Sequence, residues 1–351
     1  MIRSALSCFL SVSLAFGALA VPPKKSAAKP TAKAKSSAVA KAKPAVKPAA
    51  AAPVQTAHRR SPYVGAISAD AQTGQVLFAD NADAEAYPAS VTKLMTLLLV
   101  LEDVKSGKYG LDDMVTATAD AYKSEPSWVG IKVDEKMSVR SLCTALMVES
   151  ANDAAILLGV HSAGSFDAFV ARMNARAAAL GMTRTKYYNP NGLPPNAAKR
   201  YPWKNFNVST ARDQMVLARE LLKRPEVPSF TSIKTADLIK TADGFRTSVT
   251  RRTNEPNVAT SPAAGERIIK QLQNHNNVMR TDKLKVVNAD GTEAVDGLKT
   301  GYIDAGGSSI VLTGRNKGKR VIVVVLGSSS SKERDEEARK LLVDALGSLV
   351  W

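Results

Sequence analysis

At 351 residues with 45% hydrophobic side chains, the chain is long enough to bury a sizeable core. Its 48 Lys and Arg outweigh 32 Asp and Glu, but ten of those cations crowd into residues 21–60, where no acidic residue stands. Without that segment and Arg3 the balance is 37 basic to 32 acidic residues, so nucleic-acid binding would rest on the segment alone and is not expected.

In chain order, Arg3 precedes an apolar run from Ala5 to Leu19 that ends in Ala18-Leu19-Ala20, the small-x-small pattern of an export signal over residues 1–20. The run is shorter than the ~20 residues a spanning helix needs, which favours cleavage after Ala20 over a retained anchor. Cys8 lies too near the N-terminus to be a lipidation site. The expected location is the periplasm or cell-wall space, with membrane tethering only if the signal is kept. Residues 21–60 are Ala, Lys and Pro with a few Ser and Thr, too poor in apolar bulk to offset chain entropy, and read as a disordered linker. Two readings of its charge stay open: a solvated spacer, or a segment weakly attracted to anionic wall polymer or membrane.

Residues 61–351 read as one domain. Tyr63 to Ala69 and Gln75 to Ala79 flank a turn at Gln72-Thr73-Gly74, the pattern of a β-hairpin. From Val91 to Leu101 apolar groups point to every side, so that helix must be buried. A helical region follows from about Ser138 to Leu180, broken near Ser150 and Gly164. Residues 247–273 are long and polar and suggest an exposed insertion. Ser308 to Thr313 and Arg320 to Leu326 flank Asn316-Lys317-Gly318-Lys319, a second hairpin whose Val and Ile run suggests a central strand. A last helix, about Lys332 to Leu349, stripes Ala338, Leu341, Leu342, Ala345 and Leu346 along one face. Strands at both ends with helices between them predict an α/β fold in the broad sense, α+β strictly, with an antiparallel sheet flanked by helices.

Once the signal is removed only Cys143 remains, in an apolar stretch, so it reads as a small core residue and no disulfide framework is expected. His58, His161 and His275 are far apart and lack metal-ligand spacing, which points to neither a zinc site nor a Ser-His-Asp triad. No metal and no cofactor is expected.

Three short motifs carry the chemistry: Ser90-Val91-Thr92-Lys93, Ser150-Ala151-Asn152 and Lys299-Thr300-Gly301. Ser-x-x-Lys also occurs at Ser26 and Ser329, but only Ser90 opens a buried helix, where backbone N–H groups can support developing negative charge. Residues three apart share a helix face, which places the Lys93 amine beside the Ser90 hydroxyl. A desolvated lysine near a second cation, for which Lys299 is the candidate, loses its proton near neutral pH and can serve as the base. Lys299 and Thr300 at the start of an edge strand could hold a carboxylate, and Gly301 would let a peptide backbone approach. Taken alone, Lys93 reads first as a lysine snorkelling from a helix start, and Lys299-Thr300-Gly301 reads also as a turn. The three in order argue for a site.

Pro88 to Thr96, Ser150 to Ala155 and Asp296 to Tyr302 resemble the signature set of low-molecular-mass penicillin-binding proteins, the serine D-alanyl-D-alanine carboxypeptidases, with a β-lactamase/transpeptidase-like fold. Asp70 to Gly74, Asn189 to Leu193 and Ser209 to Asp213 match as well, so the resemblance spans roughly Tyr63 to Leu346. It implies removal of the terminal D-alanine from peptidoglycan stem peptides through an acyl-enzyme on Ser90, with Lys93 as base and Ser150 as proton relay. Asn152 would bind the peptide amide, Lys299 and Thr300 its carboxylate, and the Ser90 and Tyr302 N–H groups the oxyanion. β-Lactam antibiotics should acylate Ser90. Many such enzymes add a β-rich second domain and a C-terminal amphipathic anchor; neither is seen here, so tethering is expected from the N-terminus.

Three rivals stand beside this assignment. A D,D-endopeptidase would cut crosslinks with the same residues; Asp296-Gly297 and Ser150 to Ala154 favour the carboxypeptidase. A β-lactamase needs a deacylating group such as the glutamate of Glu-x-x-Leu-Asn, and no such pattern lies between Asn152 and Lys299. A non-catalytic penicillin-binding wall module would have little reason to keep Ser90, Lys93, Ser150 and Lys299 together.

Overall fold

The computed structural model describes residues 60–122, 127–195 and 204–347. The expected signal and all of the linker except Arg60 lie outside the described residues. Strands β1 (Gly65–Asp70) and β2 (Val76–Asp80) form the first hairpin. Asp70 shapes its turn, accepting the N–H groups of Gln72 and Thr73 at 2.9 and 2.8 Å, while Gly74 takes the left-handed conformation at φ +82°.

A 3-10 turn at Ala89–Thr92 runs into α1 (Lys93–Lys105), in which Leu94, Met95 and every residue from Leu97 to Leu101 are buried. Short strands β3 (Met114–Thr116) and β4 (Lys136–Ser138) pair on either side of α2 (Ala119–Tyr122). The helical region is α3 (Val139–Val148), α4 (Asn152–Ala163) and α5 (Phe166–Ala179), broken as expected at Ser150 and at left-handed Gly164. Then come α6 (Ala211–Leu222) and α7 (Pro228–Thr231).

Residues 247–273 depart from the expected insertion. About half of them belong to a three-stranded sheet of β5 (Ile233–Lys240), β6 (Phe245–Arg252) and β7 (Arg267–Gln273), with β5 in the middle; residues 253–266, mostly exposed, connect strands. The central strand supplies the apolar face through Ile233, Ala236, Leu238 and Ile239. Its two edge strands can therefore stay polar, and composition hid them.

After α8 (Asn277–Arg280), the chain ends in β8 (Val295–Ile303), β9 (Gly307–Asn316), β10 (Lys319–Ser328) and α9 (Ser331–Leu346). These strands join the first hairpin in one antiparallel sheet ordered β2-β1-β10-β9-β8, with β10 central as its composition implied. Lys317 and Gly318, at φ 46° and 82°, make the two-residue turn that matches strand twist. Alternation along β10 serves two cores: Ile322, Val324 and Leu326 face the α1 layer, while Val321, Val323 and Val325 face α9. The predicted stripe of α9 covers that second face through Ala338, Leu341, Leu342 and Leu346. Cys143 is a free, buried core thiol that burial pushes up to about 12.

Candidate active site

Ser90 sits in the 3-10 turn ahead of α1, in which the Val91 N–H donates to Pro88 O at 3.1 Å and no side chain caps the turn. Ala89 before it takes φ +50°, a conformation disfavoured for a residue with a Cβ. Two glycines press on this turn. A Cβ on Gly301 would lie 2.5 Å from Pro88 O and 3.0 Å from the nitrogens of Ser90 and Val91, and one on Gly192 would overlap Ala89 O. The backbone that Gly301 admits is thus the chain's own.

Lys93 is completely buried, which overturns the snorkelling reading. Its Nζ lies 2.9 Å from Ser90 Oγ, 2.8 Å from Asn152 Oδ1 and 2.7 Å from Asn191 O. Burial first, and then the Lys299 cation, hold its pKa well below the usual lysine value, against an opposing pull from Asp153. The partners say what a neutral amine does here. Asn152 Oδ1 and Asn191 O only accept, so they take the two remaining N–H bonds, and the lone pair faces the Ser90 hydroxyl, which becomes the donor. That is the arrangement of a base poised on a nucleophile.

Asn191 belongs to the Asn189–Leu193 stretch, which sequence matched without a reason. The structure supplies one. Thr96 Oγ1 donates to Pro190 O at 2.7 Å, and Asn207 Nδ2 donates to Thr92 Oγ1 and Asn189 O, both at 3.0 Å, pinning the stretch over the start of α1. Its backbone is the third partner of Lys93.

Ser150 stands in the break between α3 and α4 at φ +61°, and Asn152 opens α4. The Asn152 N–H donates to Ser127 O at 2.8 Å, while the Asp153 carboxylate accepts the N–H groups of Gly130 and Ala154 at 2.8 and 2.9 Å. The start of α4 thus carries a site residue and holds the 127–130 loop beside it.

Lys299, Thr300 and Gly301 lie on an edge strand as expected, but in the middle of β8 and not at its start. The strand begins earlier because Val295 and Gly297 already pair with β9. Lys299 is 3% exposed and donates to Thr300 O at 2.9 Å; burial, with a smaller contribution from Arg334, brings it down to about 7.

A cleft of about 450 Å³ brings Ser90, Ser150, Asn152, Thr300, Gly301 and Tyr302 to one surface. Lys93 lies beneath, bonded to Ser90 and Asn152. Leu193, from the matched Asn189–Leu193 stretch, lines it too, and the other lining residues carried no motif: Ser127, His275, Asn277, Ser331 and Arg334. Arg334, in the first turn of α9, is held by Asp335 Oδ1 at 2.8 and 2.6 Å, and Asn277 donates to the same carboxylate at 3.1 Å. Only folding brings α9 to the cleft, so no local pattern marks these residues. No carboxylate lines the cleft among the described residues, which suits it to an anionic ligand. Nor do the described residues contain a cluster of His, Cys, Asp and Glu able to hold a metal ion. His161 packs its ring on Tyr109 at 4.6 Å, a structural contact away from this lining.

Residues 54–330 match the peptidase S11 family model, described as D-alanyl-D-alanine carboxypeptidase. The D-alanyl-D-alanine carboxypeptidase DacD of Escherichia coli is 33% identical over 280 residues, covering 78% of this chain and 60% of its own length. A D-alanyl-D-alanine endopeptidase of Pseudomonas aeruginosa is 35% identical over 164 residues, covering 46% of this chain and 47% of that one. Penicillin-binding protein D2 of Listeria monocytogenes, solved in its ampicillin-bound form, superposes with a TM-score of 0.60 at 28% identity, covering 80% of this chain and 95% of that one. The chain spans about 60% of the length of the curated carboxypeptidases it matches. With the family model covering most of the described chain, and with Lys93 bonded to both Ser90 and Asn152, this protein belongs to the peptidase S11 family of D-alanyl-D-alanine carboxypeptidases.

Proposed function

We propose that the protein is a serine D-alanyl-D-alanine carboxypeptidase that removes the terminal D-alanine from peptidoglycan stem peptides. The observation that carries this is the fully buried Lys93 amine, bonded to Ser90 and two acceptor-only oxygens. Ser90 Oγ attacks the penultimate carbonyl carbon as its proton passes to Lys93. The Ser90 and Tyr302 N–H groups receive the developing oxyanion, usually the largest electrostatic contribution in acyl transfer. Ser150 relays the proton to the leaving amine; the C–N bond breaks, D-alanine departs, and an ester on Ser90 remains. Water, deprotonated through the same base, cleaves the ester and restores the hydroxyl.

Asn152 binds the peptide amide, while Thr300, Lys299 and Arg334 hold the terminal carboxylate. Gly301 fixes the strand against the nucleophile turn. β-Lactams present the same carboxylate beside a strained amide and acylate Ser90. Release is slow, because among the described residues no carboxylate lines the cleft to activate water. With an export signal ahead of it, the site works in the periplasm or cell-wall space, on a Lys-rich linker that is weakly drawn to anionic polymer.

Crosslink cleavage is the second reading, favoured by the partial match to an endopeptidase. The test is mass spectrometry of products from a pentapeptide stem and from a purified crosslinked dimer, with Ser90→Ala alongside. Loss of one alanine from the pentapeptide alone supports the carboxypeptidase. Cleavage of the dimer moves the assignment to an endopeptidase or dual enzyme, and no cleavage of either by wild type refutes both.

A further inference from the structure

His275 has no part in the chemistry above, yet it lines the same cleft as Thr300 and Arg334. Its backbone is fixed on both sides. Buried Asn274 donates to Ile233 O at 2.8 Å and accepts the Asn276 N–H at 2.9 Å, and Asn276 reaches Gly297 O at 3.4 Å. The residue itself remains open to solvent at the cleft.

The cations acting on it come from three elements, Lys299 on β8, Arg280 on α8 and Lys270 on β7, while the Lys93 amine on α1 repels it only when protonated. Glu149 pairs with Lys270, and Asp335 with Arg334, so the nearby carboxylates are already engaged. Partial desolvation against the cleft wall, although the residue as a whole stays exposed, and then those cations bring His275 down to about 4, so it is neutral at neutral pH. The missing component of this cationic corner is an anion.

We propose that His275 contacts the carboxylate end of the bound peptide and takes up a proton from solvent as that anion arrives. This rests on the substrate assigned above. The sign follows from linkage. An anion favours the imidazolium, so the histidine titrates higher in the complex than in the free protein. Between those two values binding takes up a proton, and affinity strengthens as pH falls through the window, levelling off near the free value of about 4. Lys299, at about 7, is already charged at pH near 5.5, so it adds little uptake there.

The test is calorimetric titration of the Ser90→Ala protein with a pentapeptide ending in D-Ala-D-Ala, at pH about 5.5 in two buffers of different ionisation heat. The expected result is uptake of roughly half a proton or more per peptide, and none with the same peptide amidated at its C-terminus. Adding His275→Gln should abolish the uptake and weaken binding about threefold or more at that pH, with roughly equal affinity near pH 8. His275→Asn, with an unchanged melting temperature, guards against a folding defect. Uptake that survives both substitutions, or no uptake with the acid peptide, overturns the inference alone. Failure of the Ser90→Ala protein to bind the acid peptide overturns the substrate assignment and this inference with it.

Discussion

On the floor of the cleft, Lys93 is sealed among Ser90, Asn152 and Asn191, whereas the far wall takes His275 and Arg334 from segments that carry no motif. The floor is built by helix starts. There one turn sets Ser90 against Lys93, and burial of the amine lowers its pKa, as the proposed base requires. The wall is built by tertiary packing, from the end of β7, the short α8 and the first turn of α9. Floor residues should therefore govern the chemical step, and wall residues should govern binding and its dependence on pH.

The largest effect expected is on the floor. Lys93→Met should slow acylation of Ser90 by a fluorescent penicillin about 10³-fold, within the range for loss of a positioned base, while leaving the fold intact because the new side chain fills the same buried space. Retained acylation within tenfold would break the distinction between floor and wall.

Next in size is Gly301→Ala. Its Cβ would meet Pro88 O at 2.5 Å, so the nucleophile turn must shift. Acylation should fall at least about tenfold and stability by about 2 kcal/mol, read by stopped-flow labelling and chemical denaturation. A variant that acylates normally would show that the contact between β8 and the turn does not set the serine.

Lys299 sharpens the comparison, since it is buried like Lys93 but serves the wall as a cation. It loses charge as pH rises through about 7, so kcat/KM for an anionic peptide should decline above that pH. Lys299→Arg keeps the charge at all working pH values and should move the decline upward by at least about one pH unit. An alkaline limb unchanged by Lys299→Arg would assign it to another group.

The smallest effect concerns Cys143. With its thiol raised to about 12 and no exposure, it should react with a maleimide only after unfolding, and Cys143→Ala should cost about 1 kcal/mol without changing turnover. Rapid labelling of the native protein would contradict the packing of α3.

How much of this was legible in sequence follows the same division. The Ser90–Lys93 pair, the break at Ser150, both hairpins and the α9 stripe are local patterns with short periods, and they appear where those periods place them. The β5–β6–β7 sheet was not legible, because its edge strands borrow their apolar face from β5 and read as polar connection. Arg334 and His275 were missed for a related reason. Each looks ordinary in its own segment, and only the meeting of α9 and the β7–α8 corner with the cleft gives it a role. Lys93 sits between these cases: its spacing was visible, but its complete burial, and with it the lowering of its pKa, comes from tertiary packing that brings Asn191 against it.

The most direct test of the central claim is the protonation state of that amine. The 15N resonance of Lys93 Nζ in selectively labelled protein near pH 7.5, assigned by comparison with Lys93→Met, should lie in the neutral-amine range and move to the ammonium range on acidification. An ammonium signal that persists to pH about 10, near the ordinary lysine value, would contradict the account.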